Sequence, residues 1–259
     1  MRHARLLAPR RRLRQGMRMR PVLLLLAMLV PGMALAEPCP SSSVQAIGLP
    51  ATRAALEHGQ PLRIVAFGSS STEGAGASGP DRTYPAELEA RLHAALPGAR
   101  LTVLNRGKGG QEVPEMIARL DPDVLAERPT LVIWQAGANA VLRGMPAEEF
   151  HAILAAGIAR LRASGADVLL MDSQRAPRIL EAPGFERLDA AIRDLAAEAR
   201  APLFSRAALM RDWADHGTPH AEMLGPDGLH HNDRGYACVA EALARSILAA
   251  VAPPQVARR

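Results

Sequence analysis

Short segments typical of β-strands alternate with longer segments of helical periodicity from residue 52 onward. The β-type runs are Leu62–Phe67, Leu101–Leu104, Leu131–Trp134, Asp167–Met171 and Pro202–Phe204. The segments with apolar residues at helical spacing are Pro85–Leu96, Val113–Ala126, Ala147–Ala163, Phe185–Ala199 and Arg234–Val251. Because strands separated by helices pair in parallel, this order predicts an α/β fold in which helices cover both faces of a parallel sheet.

The first 36 residues have the pattern of a targeting segment. They contain eight arginines and no acidic residue, and the apolar run Val22–Val30 precedes the small-residue sequence Ala34-Leu35-Ala36. A basic stretch, a short apolar stretch and a small-x-small end predict a secretory signal peptide cleaved after about Ala36. The apolar run is shorter than the roughly 20 residues that span a bilayer. An uncleaved N-terminal anchor is the alternative.

The remaining chain is therefore expected to act in the periplasm or outside the cell. We expect a signal peptide over residues 1–36, a tail with a short helix over 37–60, one folded domain over 61–252 and a C-terminal tail over 253–259, with no membrane span after signal removal. The formal net charge of +5 comes from the N-terminal arginines, since the rest of the chain has 23 basic and 26 acidic residues. This balance argues against a nucleic-acid partner.

The chain contains two cysteines, Cys39 and Cys238. Export would permit a disulfide between them, which would join the N-terminal tail to the last helix. Spacing alone does not decide between this bridge and two free thiols.

Four polar or glycine-rich segments follow predicted strands. They are the residues 68–74, 105–110, 135–139 and, one helix beyond the fifth strand, 227–232. In a parallel sheet the ligand site lies outside the carboxyl ends of the strands. These four segments are therefore expected to meet at one rim of the sheet.

Ser70, His230 and Asp227 are the candidates for nucleophilic catalysis at this rim. A serine hydroxyl needs a base to take its proton, and an imidazole held by a carboxylate is such a base. The three-residue spacing of Asp227 and His230 brings both side chains to one side of a turn. The alternatives are a helix N-cap for the three serines at 69–71 and a surface turn for the Asp-x-x-His sequence.

A tetrahedral ester intermediate also needs donors for its oxyanion. Gly107 can offer a backbone N–H and Asn139 a side-chain N–H, although both residue types are also common in turns.

The neighbouring histidine pairs, His230 with His231 and His216 with His220, raise the question of a metal. No third ligand follows at recognisable spacing, so we predict neither a metal nor a cofactor.

The ordered series Gly-x-Ser, Asn-x-Gly, Gly-x-Asn and Asp-x-x-His over residues 62–250 resembles the SGNH hydrolases, also called the GDSL esterase/lipase family. The resemblance implies a flavodoxin-like three-layer α/β/α sandwich around a five-stranded parallel sheet. It also implies Ser70 as nucleophile, His230 as general base and Asp227 as its orienting carboxylate. The oxyanion hole would combine the N–H groups of Ser70 and Gly107 with the side chain of Asn139.

Two positions depart from that family pattern. Ser69 replaces the aspartate of the first block, and Ala140 replaces the aspartate that usually follows the asparagine of the third block. Neither position supplies the nucleophile, the base or an oxyanion donor. The support for the serine turn and for Asn139 must therefore come from other residues.

The resemblance implies an exported serine esterase that hydrolyses carboxylic esters through an acyl-enzyme. The segment 72–84 is mostly small and polar, which suits short acyl groups such as acetate, and the substrate would be a small ester or an acylated glycan. Two alternatives stay open: a glycan O-acyltransferase on the same fold, and a non-catalytic module that binds envelope glycans.

Overall fold

The structure is a computed structural model that describes residues 38–252. Its five strands are β1 (Leu62–Gly68), β2 (Leu101–Gly107), β3 (Leu131–Gln135), β4 (Asp167–Met171) and β5 (Leu203–Phe204). They form one sheet in the order β2-β1-β3-β4-β5, and every neighbouring pair is parallel. The predicted five-stranded parallel sheet is confirmed. The predicted signal peptide and the C-terminal tail lie outside the described residues.

The burial of the strands explains why their sequences are continuously apolar. The side chains of Ile64 to Phe67 in β1 and of Leu131 to Trp134 in β3 are fully buried, because helices cover both faces of the central strands. The edge strand β2 instead exposes Thr102 and Asn105. It runs three residues beyond its predicted end, and these residues pair with the carboxyl end of β1.

Eleven α-helices occur within residues 38–252: α1 (Pro50–Glu57), α2 (Ser70–Glu73), α3 (Tyr84–Ala95), α4 (Val113–Ala118), α5 (Leu120–Asp123), α6 (Ala138–Arg143), α7 (Ala147–Ala163), α8 (Pro177–Leu180), α9 (Phe185–Glu198), α10 (Arg206–Asp215) and α11 (Asp233–Val251). Helix α11 packs against α1 and α3, whereas α7 packs against α4 and α9. These two groups are the outer layers of the α/β/α sandwich.

The helix predicted over Val113–Ala126 is wrong as a single element. The structure divides it into α4, α5 and the 3₁₀ turn Leu125–Glu127. The break follows Ala118, which is the residue that an uninterrupted helix would pair with Pro122. Proline has no N–H for that bond, and its ring clashes with the carbonyl four residues earlier.

The N-terminal tail is tied to the C-terminal half of the domain. Cys39 and Cys238 form a disulfide with a Cα–Cα distance of 5.3 Å. The Gln45 side chain accepts a hydrogen bond from the Ser205 N–H (2.7 Å) and donates one to the Ser205 carbonyl (2.9 Å). Leu49 is buried in the core. Within residues 38–252 no helix combines the length and the apolar character needed to cross a bilayer.

Candidate active site

The turn that carries Ser70 begins where β1 ends. Gly68 is the last residue of the strand, Ser69 is extended, and α2 starts at Ser70. A Cβ on Gly68 would lie 2.3 Å from Thr72 Oγ1 and 2.7 Å from Gln135 Oε1. Only glycine therefore allows β1 to approach α2 and the end of β3 closely enough to form this turn.

The structure brings the three predicted catalytic side chains into one chain of contacts. Ser70 Oγ lies 2.7 Å from His230 Nε2, and His230 Nδ1 lies 2.6 Å from Asp227 Oδ2. Ser70 and His230 are 160 residues apart in sequence, so the contact depends on the fold. Asp227 and His230 share the turn that leads into α11, whose N-terminus is capped by Asn232.

The Asp227 carboxylate is held in its ionised form. Partial burial raises its pKa, but hydrogen bonds from the His230 ring and from the backbone N–H groups of Leu229 and His230 lower the pKa to about 2. An ionised carboxylate beside Nδ1 favours the tautomer that carries its proton on Nδ1. Nε2 then has a free lone pair that can accept the Ser70 hydroxyl proton.

The three adjacent serines have three different partners. The Ser69 hydroxyl donates to Gln135 Oε1 (3.1 Å), and the Ser71 hydroxyl donates to Gln174 Oε1 (3.3 Å). Both of these serines are buried. Of the three hydroxyls, that of Ser70 is the one that reaches the imidazole.

Gln135 supports the serine turn, and sequence analysis did not single it out. Its Oε1 accepts hydrogen bonds from the Ser69 N–H (3.0 Å), the Ser69 hydroxyl (3.1 Å) and the Thr72 hydroxyl (3.1 Å). The side chain is fully buried at the end of β3. A polar residue that ends an otherwise apolar strand was the available signal. Because Ser69 stands where the family pattern has an aspartate, the serine turn needs support from another residue. Gln135 provides part of that support.

Gly107, the predicted backbone donor to the oxyanion, is the last residue of β2. Its N–H donates to Asn105 Oδ1 at 2.9 Å, within the same strand. A Cβ on Gly107 would lie 2.0 Å from the Glu73 nitrogen, so the glycine is needed for the close packing of β2 on α2. The oxyanion role of Gly107 stays a prediction. A Cβ on Gly109, two residues further on, would lie 3.8 Å from Ser70 Cβ.

Asn139 lies in the first turn of α6, beside the same loop. Its Nδ2 donates to the Gln111 carbonyl at 2.8 Å, which uses one of its two N–H groups. The second N–H has no hydrogen-bond partner within residues 38–252. Ala140, the second departure from the family pattern, is buried within α6.

The Arg119 side chain links the carboxyl ends of β1 and β2. Its guanidinium donates to the Gly68 carbonyl (2.9 Å), the Arg106 carbonyl (2.8 Å) and Gln111 Oε1 (2.5 Å). It also pairs with Asp123 at 2.9 Å, and Asp123 in turn pairs with Lys108 at 3.0 Å. The one lysine of the chain is therefore part of an ion-pair network.

His231 is directed away from the triad. It is fully buried, and its Nδ1–H donates to the Met223 carbonyl at 2.9 Å. Burial, with the nearby Arg206 charge, lowers its pKa to about 3, so the ring is neutral at ordinary pH. His216 and His220 bond to backbone carbonyls of α10. Among residues 38–252 no group of histidine, cysteine and acidic side chains is arranged to hold a metal ion.

The chain belongs to the Non-GDSL lipase-like family, which it matches over residues 38–253. The resemblance to SGNH-type hydrolases predicted from the four sequence blocks is thereby confirmed at the level of the family. No match is found among curated proteins.

Solved structures share the fold at low sequence identity. A two-domain esterase active on acetylated mannans is 21% identical with a TM-score of 0.70, and the alignment covers 83% of this chain and 57% of that one. The chain thus spans little more than half of that two-domain protein. An acetylxylan esterase from Geobacillus stearothermophilus is 20% identical with a TM-score of 0.59, and the alignment covers 76% of this chain and 97% of that one. A G-D-S-L-family protein from Desulfitobacterium hafniense DCB-2 is 22% identical with a TM-score of 0.59, over 71% and 98%.

Proposed function

We propose that this protein is an exported serine hydrolase of carboxylic esters, with Ser70 as nucleophile, His230 as general base and Asp227 as the carboxylate that orients the imidazole. The observation that carries the proposal is the continuous contact from Ser70 Oγ to His230 Nε2 (2.7 Å) and from His230 Nδ1 to Asp227 (2.6 Å). These distances satisfy the requirement that nucleophile, base and orienting group lie within hydrogen-bond reach of one another.

The reaction follows from this geometry in two halves. Ser70 Oγ attacks the ester carbonyl carbon while its proton passes to His230 Nε2, and the imidazolium is stabilised by Asp227. The tetrahedral intermediate then expels the alkoxide, which takes the proton from Nε2 and leaves as an alcohol. Water then attacks the carbonyl carbon of the acyl-serine while its proton passes to His230 Nε2. Nε2 returns a proton to Ser70 Oγ as the acyl–oxygen bond breaks, which releases the carboxylic acid and restores the Ser70 hydroxyl.

The oxyanion of the intermediate needs preorganised donors. We assign this role to the backbone N–H of Ser70 and to the free N–H of Asn139 Nδ2. Gly107 can contribute only if its bond to Asn105 Oδ1 opens. The backbone of Gly109 is a further candidate, since a Cβ there would lie 3.8 Å from Ser70 Cβ.

We propose a short acyl group, such as acetyl on a small ester or a carbohydrate, as the group removed. The fold neighbours include esterases described as active on acetylated mannans and as acetylxylan esterases. The tryptophans Trp134 and Trp213 are buried in the core, so neither forms a stacking platform for a polysaccharide. The Cys39–Cys238 disulfide supports the export part of the proposal, because disulfides persist mainly in oxidising compartments.

The test is hydrolysis of p-nitrophenyl acetate by wild type and Ser70→Ala. We expect the substitution to lower kcat by at least ~10³-fold, as removal of a nucleophile does. Ser164→Ala is the matched control, since that hydroxyl bonds only the Leu161 carbonyl at a helix end. A fluorophosphonate probe should label Ser70 in the wild type, and peptide mapping identifies the residue.

Unchanged turnover in Ser70→Ala, or labelling of Ser69 or Ser71 instead, would refute the assignment of the nucleophile. Loss of free acid in favour of an acylated alcohol acceptor would identify a transferase. A wild type that binds glycans but is neither active nor labelled would identify a binding module.

A further inference from the structure

Gln174 connects the two segments that carry the proposed nucleophile and base. It lies in the loop that follows β4 and is 1% exposed. Its Oε1 accepts a hydrogen bond from the Ser71 hydroxyl (3.3 Å), and its Nε2 donates to the Leu229 carbonyl (2.9 Å). The carbonyl of Leu229 can only accept, which fixes the orientation of the amide. One buried side chain therefore bridges residues adjacent to Ser70 and to His230.

Apart from the bond of Ser70 to His230, the other hydrogen bonds between these two segments involve residues after His230, and there Gly76 also packs closely against the His231 carbonyl. After His230, the Tyr236 hydroxyl donates to the Ala75 carbonyl at 2.7 Å, and Asp233 accepts from Ser78. These contacts hold the chain on the C-terminal side of the imidazole. The contact through Gln174 holds the N-terminal side, at Leu229. Without it, the segment before His230 would lose its hydrogen bond to the loop after β4.

We propose that Gln174 is a positioning residue that sets the distance between Ser70 Oγ and His230 Nε2. It acts through Ser71 and Leu229 and contacts neither reacting atom. This inference rests on the proposed function. It also assigns a structural role to the flanking serines: Ser69 hydrogen-bonds Gln135 and Ser71 hydrogen-bonds Gln174, whereas the Ser70 hydroxyl contacts the imidazole.

The test replaces Gln174 by methionine, which keeps the length of the side chain and removes both polar groups. A displacement of about 1 Å in a reacting pair can lower the rate by ~10²-fold. We therefore expect Gln174→Met to lower kcat for p-nitrophenyl acetate by about 10- to 100-fold, with KM within about twofold of wild type, because the ester-binding groups are unchanged. The rate of fluorophosphonate labelling should fall by the same factor as kcat.

Two further variants separate the arms of the bridge. Ser71→Ala removes the hydroxyl arm and should lower kcat by about 10-fold, on the same distance argument. Gln174→Glu keeps an acceptor for Ser71 but loses the donor to Leu229, so it should not restore kcat. Because the bridge needs both arms, Ser71→Ala combined with Gln174→Met should be no slower than Gln174→Met alone.

Gln45→Met is the matched control for a lost buried amide. The Gln45 side chain also makes two hydrogen bonds, but both join it to Ser205, away from the triad. It should lower Tm without changing kcat, whereas Gln174→Met changes kcat at temperatures where it is fully folded. If Gln174→Met does not fold, Ser71→Ala alone decides.

The outcomes distinguish this inference from the proposed function. A wild type without activity or labelling removes the proposed function, and the inference with it. If the wild type is active and the kcat of Gln174→Met lies within threefold of the wild-type value, the positioning role of Gln174 is refuted and the triad is not affected. If Gln174→Met does not fold, the same limit applies to the kcat of Ser71→Ala. The positioning role would also be refuted if the double variant lost kcat by the product of the two single losses rather than by the loss of Gln174→Met alone.

Discussion

We expect the Cys39–Cys238 disulfide to contribute a large and measurable part of the free energy of unfolding. It joins residues 199 positions apart, so it closes almost the whole described domain into one loop. In the loop-entropy relation, closing a 199-residue loop in the unfolded chain is worth about 5 kcal/mol at 25 °C. Replacing both cysteines by alanine should lower the free energy of unfolding by up to this amount.

The folded state should survive the loss of the disulfide. The tail keeps the two hydrogen bonds of Gln45 to Ser205, the buried side chain of Leu49 and the bond from Arg53 Nε to the Ala250 carbonyl (3.0 Å). The disulfide acts mainly on the unfolded ensemble, so the turnover of p-nitrophenyl acetate expected from the proposed function should be unchanged at 25 °C.

The assay is urea unfolding followed by the fluorescence of the buried tryptophans. With a slope of about 2.5 kcal/mol per molar urea, a loss of about 5 kcal/mol moves the midpoint down by about 2 M. Wild type in dithiothreitol is the same-sequence control and should match the alanine variant. Identical midpoints with and without the disulfide would refute the reasoning. A variant that unfolds normally but loses turnover would show that the disulfide also shapes the site.

His231 and Asn139 give two further predictions. The pKa of buried His231 is lowered to about 3, so the unfolded chain takes up a proton below pH 6.5 that the folded chain does not, and stability is lost as the pH falls from 6.5 towards 3. His231→Asn, which keeps a donor for the Met223 carbonyl, should flatten the urea midpoints measured between pH 6.5 and 4; parallel curves for both proteins would contradict this. Asn139→Ala should lower kcat by about 10²- to 10³-fold if its Nδ2 serves the oxyanion, and a change below threefold in p-nitrophenyl acetate turnover would exclude that role.

The sequence was sufficient for the sheet because its central strands are buried on both faces. Continuous apolar runs such as Leu131–Trp134 have one stable place in an α/β fold, between two helical layers. The helix after β2 was harder to predict, since its apolar spacing continues through Pro122. The geometry of that proline, rather than the hydrophobic period, ends α4 at Ala118.

The candidate site was predictable to the extent that it depends on topology. The rule that loops after parallel strands share a rim places Ser70 and His230 together without any knowledge of side chains. The supporting amides follow no such rule. Gln135 and Gln174 reach the serine turn only because the register of β3 and the path of the loop after β4 point them there. No spacing in the sequence records this, and the bond between Gly107 and Asn105 is equally local.

The Ser69 departure from the family pattern is compensated in the buried surroundings of the turn. Ser69 offers an N–H and a hydroxyl, and Gln135 Oε1 accepts from both. An aspartate at position 69 would place an acceptor-only carboxylate beside Gln135 Oε1. The Gln135 amide would have to rotate to present Nε2, which would break the bonds that Oε1 accepts from the Ser69 N–H and the Thr72 hydroxyl. Both side chains are buried, where an unpaired charge costs several kcal/mol. An uncharged amide, that of Gln135, therefore holds the turn that presents Ser70 where the family pattern has an aspartate.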